Sequence, residues 1–190
     1  MRIESRWEGP FAWPKTESAL PYVPETPGVY LWTFEYSDGF VLYGAGITRR
    51  SVAARMKEHT KNYLNGVYTI LDVDALKQGV RHEIWHGFWY RPRAAERTSD
   101  YEARRAELTE SARTQLSSFR IFVANVGTAP RVLERLEAGI MQFLYAQPKP
   151  LCDIPDKGMM LARRHASEEP IEVLLSCSHT LHGLPLKLVI

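Results

Sequence analysis

Residues 28–46 read GVYLWTFEYSDGFVLYGAG, and this stretch decides the fold. Residues 28–35 and 40–45 are rich in β-branched and aromatic side chains, which are typical of strands. The Asp-Gly pair between them suits a tight turn with a positive φ. The sequence therefore predicts a β-hairpin with Tyr30 on its first strand and Tyr43 on its second.

Length and composition indicate one globular domain. The chain has 190 residues, of which 45% are hydrophobic and 24% charged, enough to bury a core unaided. The formal net charge of +2 neither requires nor excludes nucleic acid, because local clustering of charge decides such binding. The two cysteines, Cys152 and Cys177, lack the spacing of a zinc site and are interpreted as thiols in a reducing compartment.

No stretch of the sequence has the pattern of a targeting or membrane segment. The first residues lack the apolar region of a signal peptide, and no apolar run approaches the roughly 18 residues of a membrane span. We therefore expect a cytoplasmic protein with no membrane partner. The sequence does not indicate its oligomeric state.

Further helices and strands are predicted around the hairpin. Residues 1–27 contain five prolines and are predicted to form an extended arm that packs through Trp7, Phe11 and Trp13. Residues 93–117 are rich in charge of both signs, which indicates a solvated helix. The other predicted elements are helices at 49–64 and 130–145 and strands at 80–91, 119–126, 171–176 and 186–190.

Arg55 and His59 are four residues apart in the first predicted helix and therefore share one of its faces. A guanidinium binds phosphate oxygens through paired donors, and an imidazole beside it can relay a proton. The same helix also contains Lys57 and Lys61. From spacing alone, a pair of surface charges on a basic helix is the favoured interpretation.

The helix at 130–145 contains two glutamates that differ in their position around the helix. At about 100° per residue, Glu137 lies beside the apolar stripe, whereas Glu134 lies almost opposite its centre. Glu137 is therefore the carboxylate closer to the core, and Mg²⁺ binds through one or two carboxylates together with waters and phosphate oxygens. A plain surface charge at Glu137 is an equally good interpretation at this point.

Other chemistry-bearing residues admit simpler interpretations. Tyr30 and Tyr43 are of a type that usually packs within sheets and makes one hydrogen bond. A dense aromatic segment can form the pocket wall of a small-molecule enzyme, although covering a sheet edge or packing against the charged helix is the favoured interpretation. Its members are Trp85, Phe88, Trp89 and Tyr90.

Taken together and in order, these segments resemble the motifs of the GIY-YIG nuclease superfamily. The first two are Pro27-Gly28-Val29-Tyr30 and Val41-Leu42-Tyr43-Gly44-Ala45-Gly46. The third is Arg55-Met56-Lys57-Glu58-His59 in the first helix. The last two are Leu136-Glu137-Ala138-Gly139-Ile140 and the turn Pro148-Lys149-Pro150.

The sequence departs from the family pattern in three places. The second motif reads Tyr-Gly-Ala where the family has Tyr-Ile-Gly or Tyr-Val-Gly. The segment between Tyr43 and Arg55 is two residues longer than in the family. The asparagine that the family has after the proline turn is missing, and Asp153 is the nearby candidate to replace it.

The resemblance implies an α+β fold with a small central antiparallel or mixed sheet flanked by helices. It covers a nuclease-like core at 28–64 and 119–153 within a single domain, 1–190. Residues 65–118 are then an insertion that carries a strand and a helix, and residues 154–190 are a C-terminal extension.

The function that the resemblance implies is metal-dependent hydrolysis of phosphodiester bonds in DNA, with Mg²⁺ or Mn²⁺ held by Glu137. Arg55 would stabilise charge on the phosphate and Tyr30 would orient the attacking water with help from His59. Tyr43 would bind the phosphate or the water network. The residues expected to bind the nucleic acid are Arg49, Arg50, Lys57 and Lys61.

An alternative remains open on the same fold. The altered second motif and the missing asparagine are also compatible with a catalytically inactive module that binds nucleic acid or another protein.

Overall fold

The computed structural model describes residues 1–88 and 94–190. Within them, the first strands are β1 (Arg2–Ala12), β2 (Gly28–Tyr36) and β3 (Gly39–Thr48), and α1 (Val52–Leu64) follows. Next come β4 (Ile70–Leu71), α2 (Val73–Lys77), β5 (Glu83–Trp85), α3 (Ala94–Ala103) and α4 (Arg105–Ser118). The rest comprises β6 (Arg120–Ala124), α5 (Pro130–Tyr145), a 3₁₀ turn (Leu151–Asp153), β7 (Glu172–Cys177), β8 (Leu181–His182) and β9 (Lys187–Val189).

The predicted hairpin is confirmed as β2 and β3, which pair antiparallel from Gly28↔Thr48 to Tyr36↔Gly39. The positive φ of its turn falls on Ser37, at 52°, and not on the Asp-Gly pair. The two-residue turn sets the register from Tyr36↔Gly39 to Thr33↔Leu42, and the register shifts by one residue between Thr33 and Trp32.

The described residues form a seven-stranded sheet in the order β8-β3-β2-β6-β1-β7-β9 and a small sheet of β4 and β5. β1 pairs parallel with β7, and β3 pairs parallel with β8, whereas the remaining pairs of the large sheet are antiparallel. The chain is therefore an α+β protein with a mixed sheet. The sheet is larger than the small one expected, because residues 1–27 and 154–190 supply four of its strands.

The prediction of an N-terminal arm is wrong for residues 2–12, which form β1 between β6 and β7. Ile3, Ser5 and Trp7 face inwards and alternate with charged residues, which is the period of a strand. The proline content of the whole segment concealed this short alternation. Pro10 lies where the register between β1 and β6 shifts, one of the few places where a sheet tolerates proline.

The helix predictions are confirmed in different degrees. α5 has the predicted bounds, and α1 begins at Val52 because the Ser51 hydroxyl caps it at the Ala54 amide. The predicted helix at 93–117 is two helices, α3 and α4, and α4 is not simply solvated because it buries Leu108, Ala112, Gln115 and Leu116.

The predicted strand at 80–91 is wrong in its extent. Only Glu83–Trp85 is a strand among its described residues, and it pairs with β4 outside the large sheet. The last part of that prediction, 89–91, and residue 93 of the predicted helix lie outside the described residues.

Two apolar cores lie on opposite faces of the large sheet. One joins the sheet to α1 and α4 through Met56 and Leu108, and the other joins it to α5 through Leu136 and Ile140. Helices on both faces allow side chains from either side to meet only at the rim of the sheet. Among the described helices, none has the length and apolar character needed to cross a membrane.

We expect Trp7→Ala to lower the free energy of unfolding by about 3–5 kcal/mol, because Trp7 of β1 is one of the largest fully buried side chains. Tyr22→Ala is the matched control, since Tyr22 is 54% exposed and should change stability by less than about 0.5 kcal/mol. Urea denaturation measures both. Equal effects would contradict the assignment of β1 to the core of the fold.

Candidate functional site

The five residues predicted from the motifs line one cleft of about 340 Å³. Tyr30 comes from β2, Tyr43 from β3, Arg55 and His59 from α1, and Glu137 from α5. Nearly eighty residues separate His59 from Glu137, so the tertiary fold alone brings them together. Their chemical roles stay predictions.

The cleft crosses the outer edge of β3, which explains how two helices on opposite faces reach it. β8 pairs with β3 only at Phe40 and Val41, and among the described residues no strand covers the rest of that edge. Residues 44–46 line the cleft there. Gly46 pairs with Tyr30, and a Cβ at Gly46 would lie 2.4 Å from the Tyr30 ring. Glycine is thus required for the Tyr30 ring to lie over the strand.

A β-bulge directs Tyr43 into the cleft. Trp32 pairs with Gly44 and Thr33 with Leu42, so Tyr43 is an extra residue on β3. Bulges often occur beside functional sites, where they redirect a side chain.

Trp32 forms the wall between the two tyrosines. Its ring centroid lies 6.0 Å from that of Tyr30 and 6.1 Å from that of Tyr43, and both pairs are stacked. The His59 ring is closer to Trp32, at 4.6 Å between centroids, and meets it edge to face. The sequence predictions omitted Trp32, although strand alternation places it on the same face as Tyr30.

His59 lies between two phenols. Its Nε2 is 3.0 Å from the Tyr30 hydroxyl, and its Nδ1 is 3.0 Å from the Tyr68 hydroxyl. Burial, and then the positive charge of Arg55, lowers the His59 pKa to about 3, so the ring is neutral at physiological pH. A neutral imidazole has one donor and one acceptor, and it therefore donates to one phenol and accepts from the other.

Tyr43 belongs to a second hydrogen-bonded chain. Its hydroxyl donates to Asp156 Oδ2 at 2.7 Å, and Arg81 Nη2 donates to Asp156 Oδ1 at 2.6 Å. Burial and the neighbouring Asp156 charge raise the Tyr43 pKa well above its usual value, so the phenol keeps its proton.

Arg55 is only partly committed to a protein partner. Its Nη1 donates to Glu58 Oε2 at 2.7 Å, and 38% of its side chain is exposed. Its charge opposes the rise that burial causes in the pKa of Tyr30. Since a guanidinium has five N–H donors, Arg55 keeps donors for an anion in the cleft.

Glu137 is a desolvated carboxylate without a partner. Burial raises its pKa to about 7, against the opposing effect of Arg55. Among the described residues, no hydrogen-bond donor and no cation within ion-pair distance contacts its carboxylate. Glu134 instead pairs with Arg131 at 3.2 Å and does not line the cleft, as its position around the helix predicted.

A metal at this cleft would rely on Glu137 and not on a cluster of protein ligands. Within residues 1–88 and 94–190, no group of three His, Cys, Asp or Glu side chains has the arrangement of a metal site. Glu137, a half-buried carboxylate, fits the mode in which Mg²⁺ keeps waters and binds phosphate oxygens.

The predicted nucleic-acid-binding residues are exposed on and before α1. They are Arg49, Arg50, Lys57 and Lys61. Arg50 contacts Glu58 at 2.6 Å. The start of the C-terminal extension also lines the cleft, through residues that include Lys157 and the exposed Met160.

The suggested role of Asp153 as the replacement for the missing asparagine is not supported by its position. Asp153 pairs with Lys149 at 3.3 Å and Lys157 at 3.5 Å and lines a neighbouring pocket. Asp156, which follows it closely in the chain, takes a place in the cleft instead. No motif indicated Asp156 or Tyr68, because both come from segments outside the resemblance.

The aromatic segment does not line the cleft where it is described. Trp85 and Phe88 pack on Tyr101, at 5.3 Å and 5.6 Å between centroids, and Trp85 Nε1 donates to the Gly66 carbonyl. Trp89 and Tyr90 lie outside the described residues. Trp85 and Phe88 therefore serve the packing of α3.

Comparisons with protein-family models, with curated proteins and with solved structures found no match for this chain. The resemblance to GIY-YIG nucleases thus rests on the motif residues and their order. Any function must be argued from the cleft itself.

We expect Glu137→Gln to change the pH dependence of stability in metal-free buffer. The wild-type carboxyl titrates near 7 when folded and near 4.5 when unfolded, so its folded state holds more protons in that window. Stability relative to Glu137→Gln should therefore fall as pH rises from 4.5 to 7, by up to about 3 kcal/mol. Urea denaturation at several pH values measures it, and a constant difference would contradict the raised pKa.

Proposed function

We propose that this protein is a divalent-metal-dependent endonuclease that hydrolyses phosphodiester bonds in DNA, with a GIY-YIG-like core. The observation that supports it best is Glu137, a half-buried carboxylate without a partner among the described residues, which shares a cleft with Arg55 and two tyrosines. Packing alone does not account for such a carboxylate, because removing a charge from water without a partner costs free energy.

Glu137 is the residue that would hold Mg²⁺ or Mn²⁺. When bound, such an ion supplies Lewis-acid stabilisation of the phosphate and lowers the pKa of a coordinated water. A cation would also favour the ionised form of Glu137, which burial disfavours. Proton and metal would thus compete for this carboxylate near pH 7.

Arg55 is proposed to bind the scissile phosphate. Its partly exposed guanidinium lies in the cleft with donors that Glu58 does not use. The charge that builds on phosphate oxygens during hydrolysis is stabilised by such preorganised donors.

Tyr30 is proposed to orient the attacking water, with His59 behind it. The Tyr30 hydroxyl can direct a lone pair to the water when its proton points to His59 Nε2, 3.0 Å away. In that arrangement His59 donates its single ring proton, on Nδ1, to the Tyr68 hydroxyl. Neutral His59 is necessary here, since a protonated ring has no acceptor.

The first test is cleavage of supercoiled plasmid with Mg²⁺ or Mn²⁺. We expect the wild type to nick the plasmid and Glu137→Ala to reduce cleavage to background, because the metal loses its protein ligand. Glu134→Ala is the matched control on the same helix, and it should cleave like the wild type. Mn²⁺ binding is measured from the electron paramagnetic resonance signal of the free ion. We expect Glu137→Ala to lose Mn²⁺ binding and Glu134→Ala to keep it.

Equal nicking by wild type and Glu137→Ala would rule out the proposed activity. If the wild type also failed to bind Mn²⁺ but bound DNA in a salt-sensitive way, the alternative of an inactive nucleic-acid-binding module would replace the nuclease.

The second test concerns the exposed cations. The double variant Lys57→Ala/Lys61→Ala should bind DNA more weakly, with a plot of log K against log salt shallower by about 0.9 for each phosphate that the protein no longer neutralises. Arg2→Ala/Lys187→Ala is the control of equal charge, because both residues lie near the opposite edge of the sheet. Identical slopes for the two double variants would place the DNA elsewhere.

A further inference from the structure

Asp156 is a charged residue of the cleft that neither the motifs nor the proposed function uses. It lies in the C-terminal extension, and 22% of its side chain is exposed. Arg81, from the segment interpreted as an insertion, also donates Nη1 to the Ile154 carbonyl at 2.6 Å and contacts Glu83 at 2.7 Å. The segment carrying Asp156 is therefore fixed at two points beside Tyr43.

The direction of the hydrogen bond between Tyr43 and Asp156 is determined by chemistry. An ionised carboxylate only accepts, and Arg81 Nη2 donates to the other oxygen of Asp156 in a charge-assisted hydrogen bond. The Tyr43 proton is thus committed to Asp156. The Tyr63 phenol also hydrogen-bonds to Tyr43. Because the Tyr43 proton is directed to Asp156, Tyr43 Oη offers only lone pairs to Tyr63 and to the cleft, and a lone pair accepts from a water and repels a phosphate oxygen.

Tyr30 is constrained differently, because Arg55 can only donate to its oxygen and leaves the direction of its own proton open. Its neighbour His59 can accept from it or donate to it, according to which ring nitrogen carries the proton. Of the two tyrosines, only Tyr43 has a proton direction that its partner determines.

We propose that Asp156 is a positioning residue that makes Tyr43 the hydrogen-bond acceptor for the attacking water, and that the water's proton leaves along this pair. The inference rests on the proposed function. The resemblance left open whether Tyr43 binds the phosphate or the water network. The inference assigns Tyr43 to binding the attacking water.

The protons and electrons of this step balance within the cleft and solvent. As water attacks phosphorus, one of its protons passes to Tyr43 Oη, and the phenolic proton passes to Asp156 Oδ2. The electron pair of the resulting hydroxide forms the new P–O bond while the bond to the leaving oxygen breaks. The leaving oxygen takes a proton from solvent, and Asp156 later returns its proton to solvent.

Asp156→Asn tests the inference because the amide has the same shape as the carboxylate but replaces one acceptor oxygen with an NH₂ donor. Arg81 can only donate, so the amide oxygen should turn to Arg81 and the amide nitrogen to Tyr43. Tyr43 would then accept from Asn and direct its proton into the cleft. We expect kcat to fall by about 10²-fold, within the range of general acid–base effects, with KM and Mn²⁺ binding unchanged.

Asp153→Asn is the matched control, with the same chemistry in the neighbouring pocket. It should keep kcat within about twofold of the wild type, since surface substitutions have small effects. Tyr43→Phe removes the hydroxyl and leaves the ion pair of Arg81 and Asp156 intact. It therefore tests the inference even if Asp156→Asn fails to fold. Its loss should match that of Asp156→Asn, and the double variant should lose no more, because the two residues act as one unit.

The outcomes separate the two proposals. A folded Asp156→Asn protein with wild-type kcat, or losses that multiply in the double variant, would overturn the inference and leave the nuclease proposal standing. A wild type that does not cleave DNA would overturn both.

Discussion

The close contact between Tyr30 and Gly46 is the constraint on which the cleft depends. The hairpin register places them opposite each other, and a side chain at position 46 would collide with the Tyr30 ring. Because Gly46 has no side chain, the Tyr30 ring lies over β3. No described strand pairs with this part of β3, so the ring is at an open edge of the sheet. That opening is where α1 and α5, separated by the sheet everywhere else, both contribute to one cleft.

Around this opening, the cleft combines groups whose protonation is held by burial and by partners. His59 is neutral and Tyr43 keeps its proton at physiological pH, and the pKa of Glu137 is raised to about 7. Each of these states follows from desolvation in the first place, with neighbouring charges second. The arrangement offers an acceptor for water, donors for an anion and a carboxylate that a cation would stabilise, which is the basis of the nuclease proposal.

Local patterns predicted the elements well where one signal dominated. The hairpin, α5 and the position of Glu137 beside the apolar stripe followed from periodicity, turn chemistry and a proline at the first helical position. The N-terminal strand was missed because prolines over 1–27 outweighed a short alternation at residues 3–7. The charged helix was predicted as one piece because charge patterning does not reveal the buried face of α4.

The sequence by itself determined the hairpin, the helices that carry Arg55, His59 and Glu137, and the set of candidate residues drawn from ordered motifs. Only the tertiary structure decided that these residues meet, and that Asp156 and Tyr68 join them. The reason is physical: periodicity and capping act over a few residues, whereas these contacts span up to 113 positions and depend on packing across the whole sheet.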